Sequence, residues 1–394
     1  MTGEGTRAVH GPAPRAVRQT PLVPPVYRTS TFVFDNAQQM ADVFAGDEQG
    51  WSYSRTDNPT AQAFADAVAA LEHPGAVGQA FASGSAATAS VLLALCRSGA
   101  HVVAPQEVYG GTWALLTHQL SRYGVETTFV DMADPSAVQS ALRPETAVVW
   151  GEVLANPSMT VTDLPAIAAV ARSAGVPYVV DATFASPAVC RPIEHGADLV
   201  VHSATKYLGG HSDVTGGVVV GRADLIALVR AVRIDFGGAL APDDAALLLR
   251  GLQTLPLRVA RQCQTALAVA AALEGHPGID RVDHPSLPSH PSHDLATRLF
   301  DKDRFGAVVT VAVKGGRAAG MQLVDNLKLV QLATSLGGTV SKAVHVPTTT
   351  HKSLDAASLR AAGISEGTVR VSIGLEDAED LIADLTQALD RLSG

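Results

Sequence analysis

Lys206 lies in Ser203-Ala204-Thr205-Lys206-Tyr207-Leu208-Gly209-Gly210-His211, directly after the apolar run Ala197-Asp198-Leu199-Val200-Val201-His202. A second apolar run, Gly216-Gly217-Val218-Val219-Val220, follows it. A lysine between two strand-like runs is costly to bury unless its charge is used or suppressed. Hydroxyls three residues and one residue before it suit a phosphate, and the amine suits a Schiff base. Together Ser203, Thr205 and Lys206 point to pyridoxal phosphate.

Other residues offer matching chemistry. Asp181 ends the run Tyr178-Val179-Val180-Asp181. It could cap the next segment, or it could pair with a protonated pyridine nitrogen and keep the ring an electron sink. Ser83-Gly84-Ser85 precedes a predicted helix, where glycine and free N–H groups favour a phosphate, although such helix starts are common. Tyr53 and Arg55 sit in a turn-like segment, where the arginine could equally be a solvated charge. Tyr109 follows a strand, and its ring could stack on a cofactor or fill a core. Arg370 stands inside Thr368-Val369-Arg370-Val371-Ser372-Ile373, and an arginine in an apolar strand wants an anion, naturally a substrate carboxylate. Ser203-Ala204-Thr205-Lys206 also matches the S-x-x-K of penicillin-binding proteins, but the S-D-N and K-T-G that accompany it do not occur. His284, His290 and His293 lie in a proline-rich stretch without acids at ligand spacing and read as solvated loop histidines, so no metal is expected.

The elements that must position these residues alternate. Helices are predicted over 61–72, 86–96, 112–123, 135–142 and 164–174, with strands at 101–104, 126–130, 147–152, 178–181 and 197–202. This rhythm predicts an α/β fold with a mostly parallel sheet between helices, and sites outside the carboxyl ends of its strands. Glu152, Asp181 and Ser203 all fall at such ends. A long helical region is predicted over 242–274 and a loop over 275–292. Then come helix 292–300, strand 308–313, helix 318–330, strand 340–346, helix 355–362, strand 368–373 and helix 377–391, which suit a smaller C-terminal α+β domain. The expected division is an arm (1–60) with little regular structure before residue 50, a large domain (61–250) and a small domain (251–394).

The 394 residues exceed what one core usually serves, and 47% hydrophobic with 17% charged residues is a well-buried composition. A net charge of −9 argues against nucleic acid and anionic membrane as partners. Cys96, Cys190 and Cys263 lack metal or disulfide spacing and read as small apolar fillers of a reduced, cytoplasmic protein. Residues 1–25 show no signal pattern, and no apolar run is long enough for a transmembrane helix.

With these motifs in order from Pro21-Leu22-Val23-Pro24-Pro25-Val26-Tyr27 to the final helix, the chain resembles the Cys/Met-metabolism PLP enzymes of fold type I, the transsulfuration family. The resemblance implies Lys206 as the Schiff-base lysine, Asp181 as partner of the pyridinium and Tyr109 as the stacking ring. It implies Ser83, Gly84, Ser85, Ser203 and Thr205 as phosphate ligands, and Glu152 as an acid beside the ring. Arg370 and Asn156, with Ser335 nearby, match carboxylate-binding residues. Tyr53 and Arg55 match a pair donated to a neighbouring subunit's phosphate, so a homotetramer built from active dimers is implied.

Within the family, the tail from Ile364 to Asp377 looks most like the methionine γ-lyases. Cystathionine-handling members usually carry a glutamate where Val340 stands and a polar or basic residue near Ala114. Apolar residues there suit a thioether methyl. The expected partner is therefore a small sulfur amino acid, and the expected reaction is the carbon–sulfur lyase step that takes L-methionine to methanethiol, 2-oxobutanoate and ammonia. Lys206 would move the protons and Tyr109 would protonate the leaving sulfur. Cystathionine γ-lyase, cystathionine γ-synthase or O-acetylhomoserine sulfhydrylase activity is the alternative, and a non-catalytic binding protein a remote one. Departures from the family's wording fall at Gly111, commonly cysteine in methionine γ-lyases, at Ala182, commonly asparagine, and at Lys342 and Thr348-Thr349-Thr350.

Overall fold

Seven short runs, most of them apolar, pair into one sheet. In the computed structural model, which describes residues 4–9, 19–301, 303–352, 359 and 363–392, these are β1 (Val77–Phe81), β2 (His101–Pro105), β3 (Glu126–Val130), β4 (Thr146–Glu152), β5 (Tyr178–Asp181), β6 (Leu199–Ser203) and β7 (Gly217–Gly221). Their order is β1-β7-β6-β5-β4-β2-β3, and β7 alone runs antiparallel to its neighbours. The runs carry little alternation because helices bury both faces, as a parallel sheet requires. Helices α3 (Pro59–Glu72) and α7 (Leu164–Ser173) pack on one face, and α4 (Gly84–Leu95) and α8 (Ala223–Phe236) on the other.

Register then aligns the strand ends. Glu152 lies opposite Asp181, Asp181 opposite Val201, and Ser203 opposite Gly217, which faces Phe81 across the next ladder. The carboxyl ends of β1, β4, β5 and β6 therefore open on one edge.

A second sheet of five strands follows in the order β10 (Gln331–Leu332), β11 (Lys342–His345), β12 (Thr368–Ser372), β9 (Val308–Val313), β8 (Ile279–Asp283). Helices α10 (Leu255–Leu273), α12 (Gly316–Asn326) and α13 (Ala378–Asp390) cover it, and α11 (His293–Leu299) precedes β9. One contiguous apolar cluster runs from Val200 and Val218 of the large sheet through Val259 and Ala266 of α10 to Val309 and Val371 of the small sheet. The α/β architecture and the smaller second layer thus match the expectation.

Several elements differ from the sequence reading. The segment before residue 50 holds α1 (Glu4–Val9) and α2 (Ala37–Ala45), the latter capped by Asn36 accepting from the Gln39 amide. Helix 112–123 is instead α5 (Gly110–Ala114), a π turn over Leu115–Gln119 and a 3-10 turn over Leu120–Tyr123. The Thr117 hydroxyl donates to the Trp113 carbonyl and competes with the α-helical ladder there. The region 242–274 is two helices, because Pro256 lacks an N–H and starts α10 anew after α9 (Pro242–Leu252). The predicted loop 275–292 contains β8, and α8 and β1 went unpredicted. Helix 355–362 lies outside the described residues except at Leu359.

The histidines of that loop are not solvated, except that His293 is only partly buried. His284 is fully buried between Ser286 and the Gly306 carbonyl, and burial presses its pKa down to about 4. His290 is also buried. The cysteines are free and at least partly buried, and burial raises every thiol, Cys96 to about 11. Among the described residues, no group of acids, histidines and cysteines could hold a metal, and no helix is long and apolar enough to cross a membrane.

Candidate active site

The aligned strand ends floor a cavity of about 910 Å³. Its lining includes Ser83, Gly84, Ser85, Tyr109, Glu152, Asn156, Asp181, Ser203, Thr205, Lys206, Ser335 and Arg370, so the structure gathers most of the residues singled out by sequence.

Two carboxyls share the floor. Asp181 accepts from the Thr183 amide at 2.8 Å, and Glu152 accepts from the Tyr109 amide at 2.7 Å. Burial, then the nearby Asp181, holds the Glu152 carboxyl well above its ordinary pKa. Burial also raises Asp181, opposed by its bonds to Thr183 and by His202. Like charges this close resist joint ionisation, so the pair favours a cationic or N–H-bearing group above it.

At the other edge of the floor is the start of α4. Ser83 caps it, its Oγ accepting from the Ala86 amide at 3.1 Å, which leaves the Gly84 and Ser85 amides without intrahelical acceptors. A Cβ on Gly84 would lie 2.7 Å from the Ser203 Cβ, and one on Gly217 would lie 2.2 Å from the Ser83 carbonyl oxygen. Only glycine lets these backbones meet. Thr205 Oγ1 bonds the Gly216 amide, and Thr183 Oγ1 accepts from the Ser203 amide, fixing the turn between β6 and β7.

Lys206 emerges from that turn, its Nζ 2.8 Å from Ser335 Oγ. Burial, helped by Arg370 and Lys342, lowers its amine to about 8. Arg370, on β12, is 5% exposed, with Nη1 on Asn156 Oδ1 at 2.8 Å and its guanidinium 5.8 Å from the Phe184 ring. Its Nε is buried without a partner among the described residues. A guanidinium stays protonated even when burial opposes it, so an anion is wanted at that atom.

Four of the residues singled out lie elsewhere. Tyr53 and Arg55 are exposed on the arm, outside the lining, with Arg55 over the Tyr53 ring at 5.8 Å. Ala114 and Val340 are not in the lining either, and Val340 is 46% exposed. The apolar wall comes instead from Leu115, Leu154, Phe184 and Leu336. Gly111 does line the cavity, and a Cβ there would fall 2.5 Å from Tyr109 Cε1, so the tyrosine ring uses the space a side chain would take. Thr183, Phe184, Leu115 and Lys352 were missed. Thr183 could have been read from Asp181-Ala182-Thr183, since an aspartate commonly accepts from the backbone amide two residues on.

Pyridoxal phosphate fits these residues. The orphaned helix-start amides and hydroxyls suit a phosphate, the carboxyl pair a protonated pyridine, the Lys206 amine with its lowered pKa a Schiff base, and the unpartnered Arg370 Nε a carboxylate.

Comparison with known proteins gives the same direction. The family model described as Cys/Met metabolism PLP-dependent enzyme matches residues 5–390. An L-methionine γ-lyase of Porphyromonas gingivalis is 45% identical, over 99% of this chain and 98% of that protein. A cystathionine γ-synthase of Mycobacterium bovis is 40% identical, over 99% of this chain and 97% of that protein. Among solved structures, a putative O-acetylhomoserine (thiol)-lyase of Campylobacter jejuni, crystallised with a pyridoxyl-lysine phosphate, superposes with a TM-score of 0.91 at 33% identity, covering 98% of this chain and 99% of that one.

Proposed function

The chain belongs to the Cys/Met metabolism PLP-dependent enzyme family, and from that premise we propose that it catalyses α,γ-elimination of L-methionine to methanethiol, 2-oxobutanoate and ammonia. The observation that carries the choice of substrate is the charge of the cavity lining. Its only carboxylates among the described residues are Glu152 and Asp181, both at the floor. No acid remains for the second ammonium of cystathionine, whereas Leu115, Leu154, Phe184 and Leu336 offer apolar contact to a thioether methyl.

Bound through Lys206, pyridoxal phosphate supplies an electron sink for charge that develops at Cα and Cβ. Ser83, Ser203 and Thr205 with the Gly84 and Ser85 amides hold the phosphate, Asp181 keeps the ring nitrogen protonated, and Glu152 lies beside it. Arg370, braced by Asn156, takes the substrate carboxylate through its free Nε edge, with Ser335 adjacent. Lys206, its amine free, would remove the Cα proton and relay protons at Cβ. Tyr109, which lines the cavity, would lie against the ring and donate a proton to the departing sulfur. Water then hydrolyses the remaining four-carbon unit, so that ammonia and the oxo acid leave.

Among the described residues, the phosphate end of the cavity has hydroxyls and amides but no basic side chain of its own, since the lining cations are Lys206, Lys352 and Arg370. We assign the missing charge to Arg55, with Tyr53, of a second copy, which makes a dimer the smallest active unit within a tetramer. The same reading divides the chain into the arm (1–60), the large domain (61–250) and the small domain (251–394).

One observation favours a second reading. Lys352 lines the cavity, and its ammonium suits a carboxylate at the far end of a γ-substituent, as a γ-synthase would need. A substrate panel separates the two. Release of methanethiol and 2-oxobutanoate from methionine, with none from cystathionine, is expected. Turnover only of acylated homoserine with a thiol would replace the proposal with the γ-synthase reading.

A further inference from the structure

The turn that presents Tyr53 and Arg55 is held by a guanidinium from a distant part of the chain. Arg233, near the end of α8, is 3% exposed. Its Nη1 donates to the Arg55 carbonyl at 3.2 Å, and its Nη2 to the Thr56 carbonyl and, at 3.1 Å, to Asp57 Oδ1. Arg230, one turn earlier, donates Nε to Asp57 Oδ2 at 3.0 Å. The Asp57 amide closes the turn on the Tyr53 carbonyl at 3.0 Å. The third edge of Arg233 is also taken. With the Gln79 amide oriented to satisfy both groups, its oxygen accepts from Arg233 Nε at 3.1 Å, and Gln79 belongs to β1 of the large sheet.

A buried guanidinium bonded on all edges is a rigid connector. Here it joins the sheet to two consecutive carbonyls of an exposed turn. Arg55 itself is left outside this cluster, exposed, with Nη1 on the Ile234 carbonyl at 2.8 Å. Its backbone is fixed while its charged end faces outward. An arginine side chain that must meet a phosphate across a subunit boundary gains most when its backbone is already placed.

We propose that Arg233, working with Asp57, is a positioning residue for the cofactor phosphate of a second copy, acting through Arg55. This rests on the reading above that Tyr53 and Arg55 complete that copy's site. Lysine in place of Arg233 keeps the charge but cannot span Arg55, Thr56, Asp57 and Gln79 together.

The test uses the holoenzymes of Arg55→Ala, Arg233→Lys, Asp57→Asn and the Arg55→Ala/Arg233→Lys double variant. Cofactor loss on dilution is followed by absorbance, the bound phosphate by phosphorus NMR across pH, and the assembly by sedimentation. Arg55→Ala and Arg233→Lys should each speed cofactor loss by about tenfold, the scale of one charge-assisted contact. Asp57→Asn, the mildest change, should act in the same direction. In all three the phosphorus resonance should begin to titrate, and the double variant should lose cofactor no faster than Arg55→Ala. Wild-type cofactor retention in Arg55→Ala would remove the underlying reading of the second copy. Accelerated loss in Arg55→Ala with wild-type behaviour in Arg233→Lys and Asp57→Asn would overturn the positioning role alone. Additive losses in the double variant, or dissociation of the oligomer in Arg233→Lys or Asp57→Asn, would also overturn it. If Arg233→Lys does not fold, Asp57→Asn decides.

Discussion

Lys206 has to be an amine at the moment it captures the cofactor, and its surroundings arrange this. Burial is the largest cause of its depressed pKa, with Arg370 and Lys342 adding to it, so the neutral form gains ground above about 8 rather than above 10.5. The rate at which apoenzyme takes up pyridoxal phosphate should rise with pH and level off past a midpoint near 8. Lys342, whose ammonium is tied to Ser212 Oγ at 2.8 Å, lies outside the cavity lining. Lys342→Met removes one of the three causes, so the midpoint should move up only part of the way towards 10.5. An unmoved midpoint in stopped-flow absorbance would show that Lys342 has no hold on Lys206. Arg370 makes a second case. Arg370→Lys keeps a cation but loses the planar edge, and KM for methionine should rise about tenfold or more while kcat changes less, as the loss of a bidentate ion contact predicts. These residues were legible in the sequence because type and position agreed: an acid at a strand tip, an arginine inside a strand, a lysine after hydroxyls. Ala114 and Val340 were not, because which way a side chain leaves an irregular segment depends on the turn around it. At Ala114 that turn opens into a π turn.

At the scale of elements, the phosphate end depends on how closely α4, β6 and β7 approach. Gly84→Ala would place a Cβ 2.9 Å from the Ser203 Cα, a backbone atom that cannot swing aside. The helix start or the strand end must shift, at a cost of about 1–3 kcal/mol for overpacking. The urea midpoint should fall and the holoenzyme should shed cofactor faster than wild type. Ser83→Ala removes the N-cap and a hydroxyl proposed to hold the phosphate; it should cost about 1 kcal/mol of stability, with less effect on the spacing of the strands. If Gly84→Ala retains wild-type stability and cofactor, close approach is not what the glycine supplies. The sequence conveyed this element well, since strand β5 and strand β3 fall where the apolar runs predicted them. It failed on β1, whose run Val77-Gly78-Gln79-Ala80-Phe81 mixes a glycine and a glutamine into a buried strand. The reason appears only in three dimensions: a Cβ on Gly78 would lie 2.3 Å from the Ala65 carbonyl oxygen, and Gln79 meets Arg233.

For the whole molecule, the arm sets the remaining question. Leu22 is 100% exposed and Val33 98%, with Tyr27, Met40 and Phe44 also open on the same stretch. Scattered exposed apolar residues are ordinary, but a stretch of arm carrying this many suits the subunit contact proposed above. Among the described residues, the arm is anchored near its base. Arg28 pairs with Asp243 of α9 at 2.7 Å, the Tyr27 amide donates to Thr60 Oγ1 at 3.0 Å, and Asn58 Nδ2 donates to the Tyr27 carbonyl at 2.9 Å. Tyr53 and Arg55 lie outside the lining of their own cavity, whose cations among the described residues are Lys206, Lys352 and Arg370. In the proposed dimer a second copy would cover the arm and receive Arg55. Val33→Asp puts a charge on the arm without touching any residue of the cavity or the Arg233 cluster. Sedimentation at low protein concentration should then show a smaller species than wild type, and that species should lose cofactor about tenfold faster, since one charge-assisted phosphate contact goes with the partner. Far-ultraviolet dichroism should stay unchanged, because Val33 contributes no buried core. A dissociated Val33→Asp chain that holds its cofactor as firmly as the wild-type assembly would mean that each cavity is complete by itself.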